Sequence, residues 1–174
     1  MLAEKSKMPY NTHGDYMATK TNAIRLVEAA GFDCKEASYA YDESDLNGRH
    51  AAIAIGLPEE QVFKTLVTCG DKNGINVFCI PVCYELDLKK AARVSNNKKV
   101  DMLPQKDLLQ ITGYIRGGCS PLGMKKKYPT YIDRTCCLFP IISVSAGKRG
   151  QQMLVPHEAI LELVNAELAD IIQE

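Results

Sequence analysis

A chain of 174 residues with 46% hydrophobic content is long enough to bury one core and short for two. No run reaches the roughly 18 apolar residues of a membrane span, the N-terminus lacks the apolar stretch of a secretion signal, and seven cysteines without a Cys-x-x-Cys spacing make no disulfide framework, so a soluble cytoplasmic protein with reduced thiols is expected. Lys and Arg balance Asp and Glu at 21 each, a formal charge of zero, and any preference for a polyanion must come from how those charges are distributed.

Residues 1–16 are polar and unpatterned and read as a flexible N-terminal extension, with one domain expected over residues 17–174. From Thr21, Ala23, Ile24, Val27 and Ala30 recur at helical spacing, and Gly31 ends the pattern as a C-cap. Phe32 to Tyr41 reads as a strand with Tyr39 and Tyr41 on one face, followed by an acidic loop. A helix is predicted over Asn47 to Ile55, ending at Gly56, and Pro58-Glu59-Glu60 opens a short helical turn. Asp71-Lys72-Asn73-Gly74 separates Val62 to Cys69 from Ile75 to Val82 and predicts a hairpin.

Asp87 caps a basic helix from Leu88 to about Val94, Lys99 to Leu103 is a short strand, and Pro104 opens a helix that stops at Gly113. Thr130 to Asp133, Phe139 to Ser145 and Gln152 to Val155 are strands, the last two joined by a turn over Ala146-Gly147-Lys148-Arg149-Gly150. An amphipathic helix from Glu158 to about Leu168 closes the chain. There is no internal repeat and no regular βα alternation. The predicted class is α+β, a curved, mixed, barrel-like β-sheet covered by helices.

Charge is concentrated. Residues 89 to 127 hold ten Lys and Arg against two acids, whereas residues 28 to 60 hold eight acids against two bases. A neutral protein can thus present a basic face, either to a nucleic acid or simply to water.

Lys64 is the most informative residue. Strand alternation in Val62-Phe63-Lys64-Thr65-Leu66-Val67 puts it on a face with Val62 and Leu66, and an ammonium in such a place needs an anion or a pocket. An edge-strand lysine with its stem on the core and its head in water also satisfies the pattern. A second segment, Gly117-Gly118-Cys119-Ser120-Pro121-Leu122-Gly123, lets a substrate approach the backbone, and its amides could converge on an oxyanion. It matches no dinucleotide or P-loop fingerprint, so no cofactor is expected. No histidine can be assigned to Cys119 as a base, which favours a buried residue over a nucleophile. Ser143-Val144-Ser145-Ala146-Gly147-Lys148-Arg149-Gly150 suits a phosphate or is an ordinary exposed hairpin. His13, His50 and His157 lie far from any cysteine pair, and no zinc site is expected.

Together these segments, with Leu86-Asp87-Leu88-Lys89-Lys90-Ala91, Lys98-Lys99-Val100 and Thr112-Gly113-Tyr114, resemble the YbaK/EbsC aminoacyl-tRNA deacylases, which are related to the editing domain of bacterial prolyl-tRNA synthetases. The resemblance runs from about Lys20 to Ile171. It implies an enzyme that hydrolyses, in trans, the ester joining a wrong amino acid to tRNA, typically cysteine on the proline tRNA. Lys64 matches the family's essential lysine, and the resemblance implies an electrostatic role for it at the terminal adenosine and the ester. Gly117 and Gly118 would place amides at the ester carbonyl, while Tyr41, Thr65, Ser120, Pro121, Ser145, Lys148 and Arg149 would line or bind the substrate. No enzyme base is implied, because the thiol of the bound cysteine attacks its own ester carbonyl.

Two departures from the family bear on amino-acid preference. The loop from Asp42 to Asn47 is short where some members carry a phenylalanine, and Gln151-Gln152 stand where some carry an acid. An Ala-tRNA(Pro) deacylase using water, a non-catalytic tRNA-binding module and a hydrolase of small nucleotide-like esters remain as alternatives. The partner expected in each tRNA reading is the acceptor end, with prolyl-tRNA synthetase as a further partner that could supply tRNA choice.

Overall fold

The computed structural model describes residues 20–174; the expected extension over residues 1–16 and the expected domain start at Met17 lie outside the described residues. Thr21 opens the first helix, α1 (Asn22–Ala29), its hydroxyl accepting from the Ile24 amide at 3.3 Å. Ala23, Ile24 and Val27 are buried as expected, whereas Ala30 is the exposed C-cap. The next strand is shorter than its sequence suggests, β1 (Lys35–Ser38), because the chain turns away after Tyr39, whose amide makes one more bond to the Gly150 carbonyl.

Asn47 caps α2 (Gly48–Ile55), and Gly56 ends it in the left-handed conformation. A 3-10 turn, Glu59–Gln61, feeds β2 (Phe63–Gly70), which pairs with β3 (Gly74–Pro81) in the expected hairpin. Asp87 caps α3 (Leu88–Val94) by accepting from the Lys89 and Lys90 amides. There follow β4 (Val100–Met102), α4 (Gln105–Thr112), β5 (Thr130–Asp133), β6 (Ile141–Lys148), β7 (Gln151–Pro156), α5 (His157–Leu163) and β8 (Glu167–Ala169).

Two late elements differ from expectation. Strand β6 runs through most of the predicted turn: Ser145 faces Gln152 and Lys148 faces Gln151, so Ala146 and Gly147 form a bulge and the turn is only Arg149-Gly150. The last helix stops at Leu163 rather than near Leu168; Asn165 takes a left-handed φ of 50°, and the released residues form β8, which pairs in parallel with β5 and covers its edge.

The sheet orders are β4-β2-β3-β5-β8 and β1-β7-β6. The class is α+β with a mixed sheet, as expected, but the strands do not close into a barrel: among the described residues the two sheets meet at a single parallel bridge, Val62 to Ser143. The Gln61 amide braces this junction by donating to the Ile141 carbonyl at 2.9 Å. Phe63, Val67 and Val77 from one sheet pack with Val144 and Met153 from the other, under Ile24 and Ile160 of the helices.

The geometry of β2 decides where a ligand can enter. Strand β4 covers only Thr68 to Gly70, leaving the segment before Val67 without a β4 partner on its side away from β3. The Val62 carbonyl accepts from Val82 of the hairpin partner and the Val67 carbonyl from Leu103 on the other side. Antiparallel alternation therefore points the Thr65 amide and carbonyl toward the open side. Lys64 thus sits on a half-exposed edge, where the two sheets diverge.

Candidate active site

The divergence of the sheets makes a cleft of about 880 Å³, within the range of small-molecule sites. Its floor is the Val62–Val67 segment of β2; its sides are the start of α2, the chain from Tyr39 to Asn47, the start of α4 and the β6–β7 turn. Lys64 reaches into it with its side chain 25% exposed, its ammonium 3.6 Å from a carboxylate oxygen of Glu85. Thr65 lines the cleft beside it, with its hydroxyl 3.9 Å from the buried Cys79 sulfur.

Six of the ten sequence-predicted residues converge here: Lys64, Thr65, Gly117, Tyr41, Ser145 and Arg149. The local fold explains why. Gly150, in a left-handed turn with φ 78°, lies so close to Tyr41 and the Tyr39 carbonyl that an added Cβ would stand 2.8 Å from both, and this absence of a side chain lets the Tyr41 ring reach the cleft. Gly118 does the same for the opposite wall. A Cβ there would stand 3.0 Å from the Lys148 and Arg149 backbone, so the glycine loop and the hairpin turn rest directly on each other. Arg149 clamps the contact, donating from Nε to the Arg116 carbonyl at 2.9 Å while its guanidinium lies 3.6 Å from Glu43. The Ser145 hydroxyl accepts from the Gly147 amide at 3.2 Å and steadies the bulge.

Four predicted residues do not line the cleft. The Gly118 amide donates to the Ile115 carbonyl at 3.0 Å, closing a turn, and of the expected glycine pair only Gly117 lines the cleft. Ser120 is fully buried, its hydroxyl accepting from the Leu122 amide at 3.3 Å. Pro121 faces a smaller cavity of about 410 Å³ on the reverse of the loop. Lys148 is exposed on the outer side of the bulge.

Cys119 borders the cleft but is only 9% exposed, and burial pushes its thiol up to about 12. Gln152 also lines the wall, its carbonyl accepting from the Ser143 hydroxyl at 2.9 Å. Burial raises the neighbouring Tyr39 phenol, and a hydrogen bond from Gln152 partly offsets that. Among the described residues no group of three or more His, Cys, Asp or Glu is arranged to hold a metal ion, and no helix is long and apolar enough to cross a membrane.

Sequence reading missed Glu85, Arg116, Arg49 and His50, all of which line the cleft. Glu85 immediately precedes the Leu86-Asp87-Leu88 segment and follows the hairpin, so its position beside Lys64 needed the strand register. Arg49 and His50 fall in the first turn of α2, whose orientation nothing local specifies.

An aminoacyl-tRNA editing domain profile matches residues 49–163, a span holding Lys64, Thr65, the glycine loop and the β6–β7 turn. The chain is 51% identical over 152 residues to a protein of Enterococcus faecalis named as a Cys-tRNA(Pro)/Cys-tRNA(Cys) deacylase, EbsC, covering 87% of this chain and 93% of that one. Its fold is similar to a solved structure described as a trans-editing enzyme for prolyl-tRNA synthetase, with TM-score 0.74, 24% identity, and coverage of 90% of this chain and 100% of the other. A hypothetical protein of known structure shares the fold at TM-score 0.77 and 18% identity, over 86% of this chain and 97% of its own. The chain belongs to the aminoacyl-tRNA editing domain family.

Proposed function

We propose that the protein edits in trans, releasing cysteine from Cys-tRNA(Pro) with the help of the substrate's own thiol. The observation that carries this reading is a cleft with a lysine at its floor and, among the described residues, no activated enzyme nucleophile. Cys119 is held protonated, and among the described residues no hydrogen bond links His50 to Cys119, Ser145 or Thr65. A substrate that brings its own nucleophile needs neither.

The terminal adenosine and its cysteinyl ester would enter along the open edge of β2. Lys64 holds the ester end by charge, since an ammonium is a good electrostatic partner and a poor base. The Gly117 amide supplies a donor for the developing oxyanion, and Thr65 offers its hydroxyl and unpaired backbone groups. The cysteine sulfur attacks the ester carbonyl, the ribose oxygen leaves with the thiol proton, and the cyclic thiolactone formed is opened by water to free cysteine. Arg49, Arg116 and Arg149, which line the walls, would meet acceptor-end phosphates. Choice of tRNA falls to contacts outside the cleft, with prolyl-tRNA synthetase as the partner that presents tRNA(Pro) in the cytoplasm.

A second reading, water attack on Ala-tRNA(Pro), is favoured by one observation, the presence of His50 in the cleft as a possible base. The two separate on a substrate with a blocked thiol. Release of labelled amino acid from S-methylcysteinyl-tRNA(Pro) should fall at least a hundredfold below release from Cys-tRNA(Pro), and His50→Ala should leave the latter unchanged. Equal cleavage of both, lost in His50→Ala, would replace thiol assistance by water attack.

A further inference from the structure

Three of the cleft's cations come with carboxylates: Lys64 with Glu85 at 3.6 Å, Arg149 with Glu43 at 3.6 Å, and Arg49 with Glu59 at 3.7 Å. Of these acids only Glu85 lines the cleft, and the other lining acid, Asp45, turns its carboxylate back to accept from the Asn47 amide at 3.3 Å. Of the two lining acids, Glu85 is therefore the one whose carboxylate accepts no hydrogen bond among the described residues, its contact being the 3.6 Å ion pair with Lys64. Its side chain is 77% exposed, yet its backbone is firmly held: the Glu85 carbonyl accepts from the Gln173 amide at 2.9 Å, Leu86 bridges to Ile172, and the Asp87 amide donates to the Ile171 carbonyl at 2.8 Å. An exposed carboxylate on a fixed base suits recognition better than packing.

Resting on the deacylase reading, we propose that Glu85 is the acceptor for the α-ammonium of the aminoacyl group, and that this contact selects aminoacyl-tRNA over tRNA esters whose amino group is blocked. In an aminoacyl ester the ammonium nitrogen is two bonds from the carbonyl carbon. A site that grips the carbonyl end with Lys64 must therefore meet the ammonium within a few ångströms of it, where a second positive charge is repelled unless an acid intervenes. The Lys64–Glu85 spacing presents a positive and a negative group to the two ends of that short unit. Acylation or formylation of the amine removes the charge and leaves Glu85 without a partner. Peptidyl-tRNA, which a deacylase acting in trans must spare, is rejected by the same carboxylate.

The test crosses one variant with one substrate change. Cys-tRNA(Pro) and N-acetyl-Cys-tRNA(Pro) are offered to the wild type and to Glu85→Gln, and kcat/KM is measured for each pair. The wild type should prefer the free amine by about tenfold to a hundredfold, the worth of a charge-assisted hydrogen bond. Glu85→Gln should lose that factor on the free amine and lose nothing on the acetylated ester. Equal losses on both substrates would overturn the proposal and leave Glu85 as a support for Lys64 alone, and no loss on either would overturn it too. Failure of the wild type to cleave either ester would instead remove the deacylase reading on which the proposal rests.

Discussion

At Cys119 the two requirements of a nucleophilic thiol, access and ionisation, part company. The sulfur borders the cleft, but burial holds its thiol near 12, so almost none is thiolate at neutral pH. Cys119→Ala should keep most of the activity, within about threefold, and the rate should rise with pH as the substrate thiol ionises, in wild type and variant alike. A folded Cys119→Ala protein with no activity would restore the enzyme nucleophile. Local sequence already disfavoured Cys119, since no histidine could be paired with it. What local sequence could not supply was the use of each amide in the glycine loop. Gly118 looks as exposed as Gly117 in a string of letters, and only the turn onto Ile115 separates them. Glu85 was hidden for a similar reason, because a charge after a hairpin is ordinary until the fold sets it beside Lys64.

Among the elements, those specified by their own residues were legible. Thr21, Asn47 and Asp87 cap the helices they precede, and the Asp71–Gly74 turn sets the β2–β3 register. Elements whose limits depend on a distant partner were not. Strand β1 is only as long as its pairing with β7, and β8 exists because β5 offers an edge, a fact invisible in residues 164–169. The bulge at Ala146-Gly147 likewise answers to the glycine loop lying against it. The β6–β7 turn carries a testable consequence. Gly150→Ala meets both a left-handed φ and the Tyr39 carbonyl, and should cost about 1–3 kcal/mol, several degrees of melting temperature, together with activity. Gly74→Ala is the control: its φ is equally left-handed, 78°, but its Cβ would meet nothing within 4 Å, so a smaller loss of stability and unchanged activity are expected. Equal effects at both sites would mean that the close approach of Tyr41 is unimportant.

Across the whole molecule the thiols make a pH-dependent contribution to stability. Burial raises Cys79 and Cys119 from 9.0 to about 12, and Cys136 is raised further in the same direction. The folded chain keeps these thiols neutral, whereas the unfolded chain ionises them from about pH 9 upward and so binds fewer protons there. Their contribution is complete below pH 9 and is lost as pH rises toward 12, by about 1.4 kcal/mol per pH unit for each fully buried thiol. Melting temperature should therefore fall between pH 9 and pH 11, and Cys79→Val should flatten that fall; a flat profile in the wild type would show that the thiols ionise without unfolding. The same burial keeps Cys119, the thiol bordering the cleft, from competing with the substrate thiol of the proposed reaction. The central claim is that this thiol acts while Lys64 holds its ester. Single-turnover release of labelled cysteine from Cys-tRNA(Pro), by wild type and by Lys64→Ala of matched melting temperature, tests it most directly. The account predicts rapid release by the wild type and a loss of at least a hundredfold in the variant; undiminished release by Lys64→Ala would contradict it.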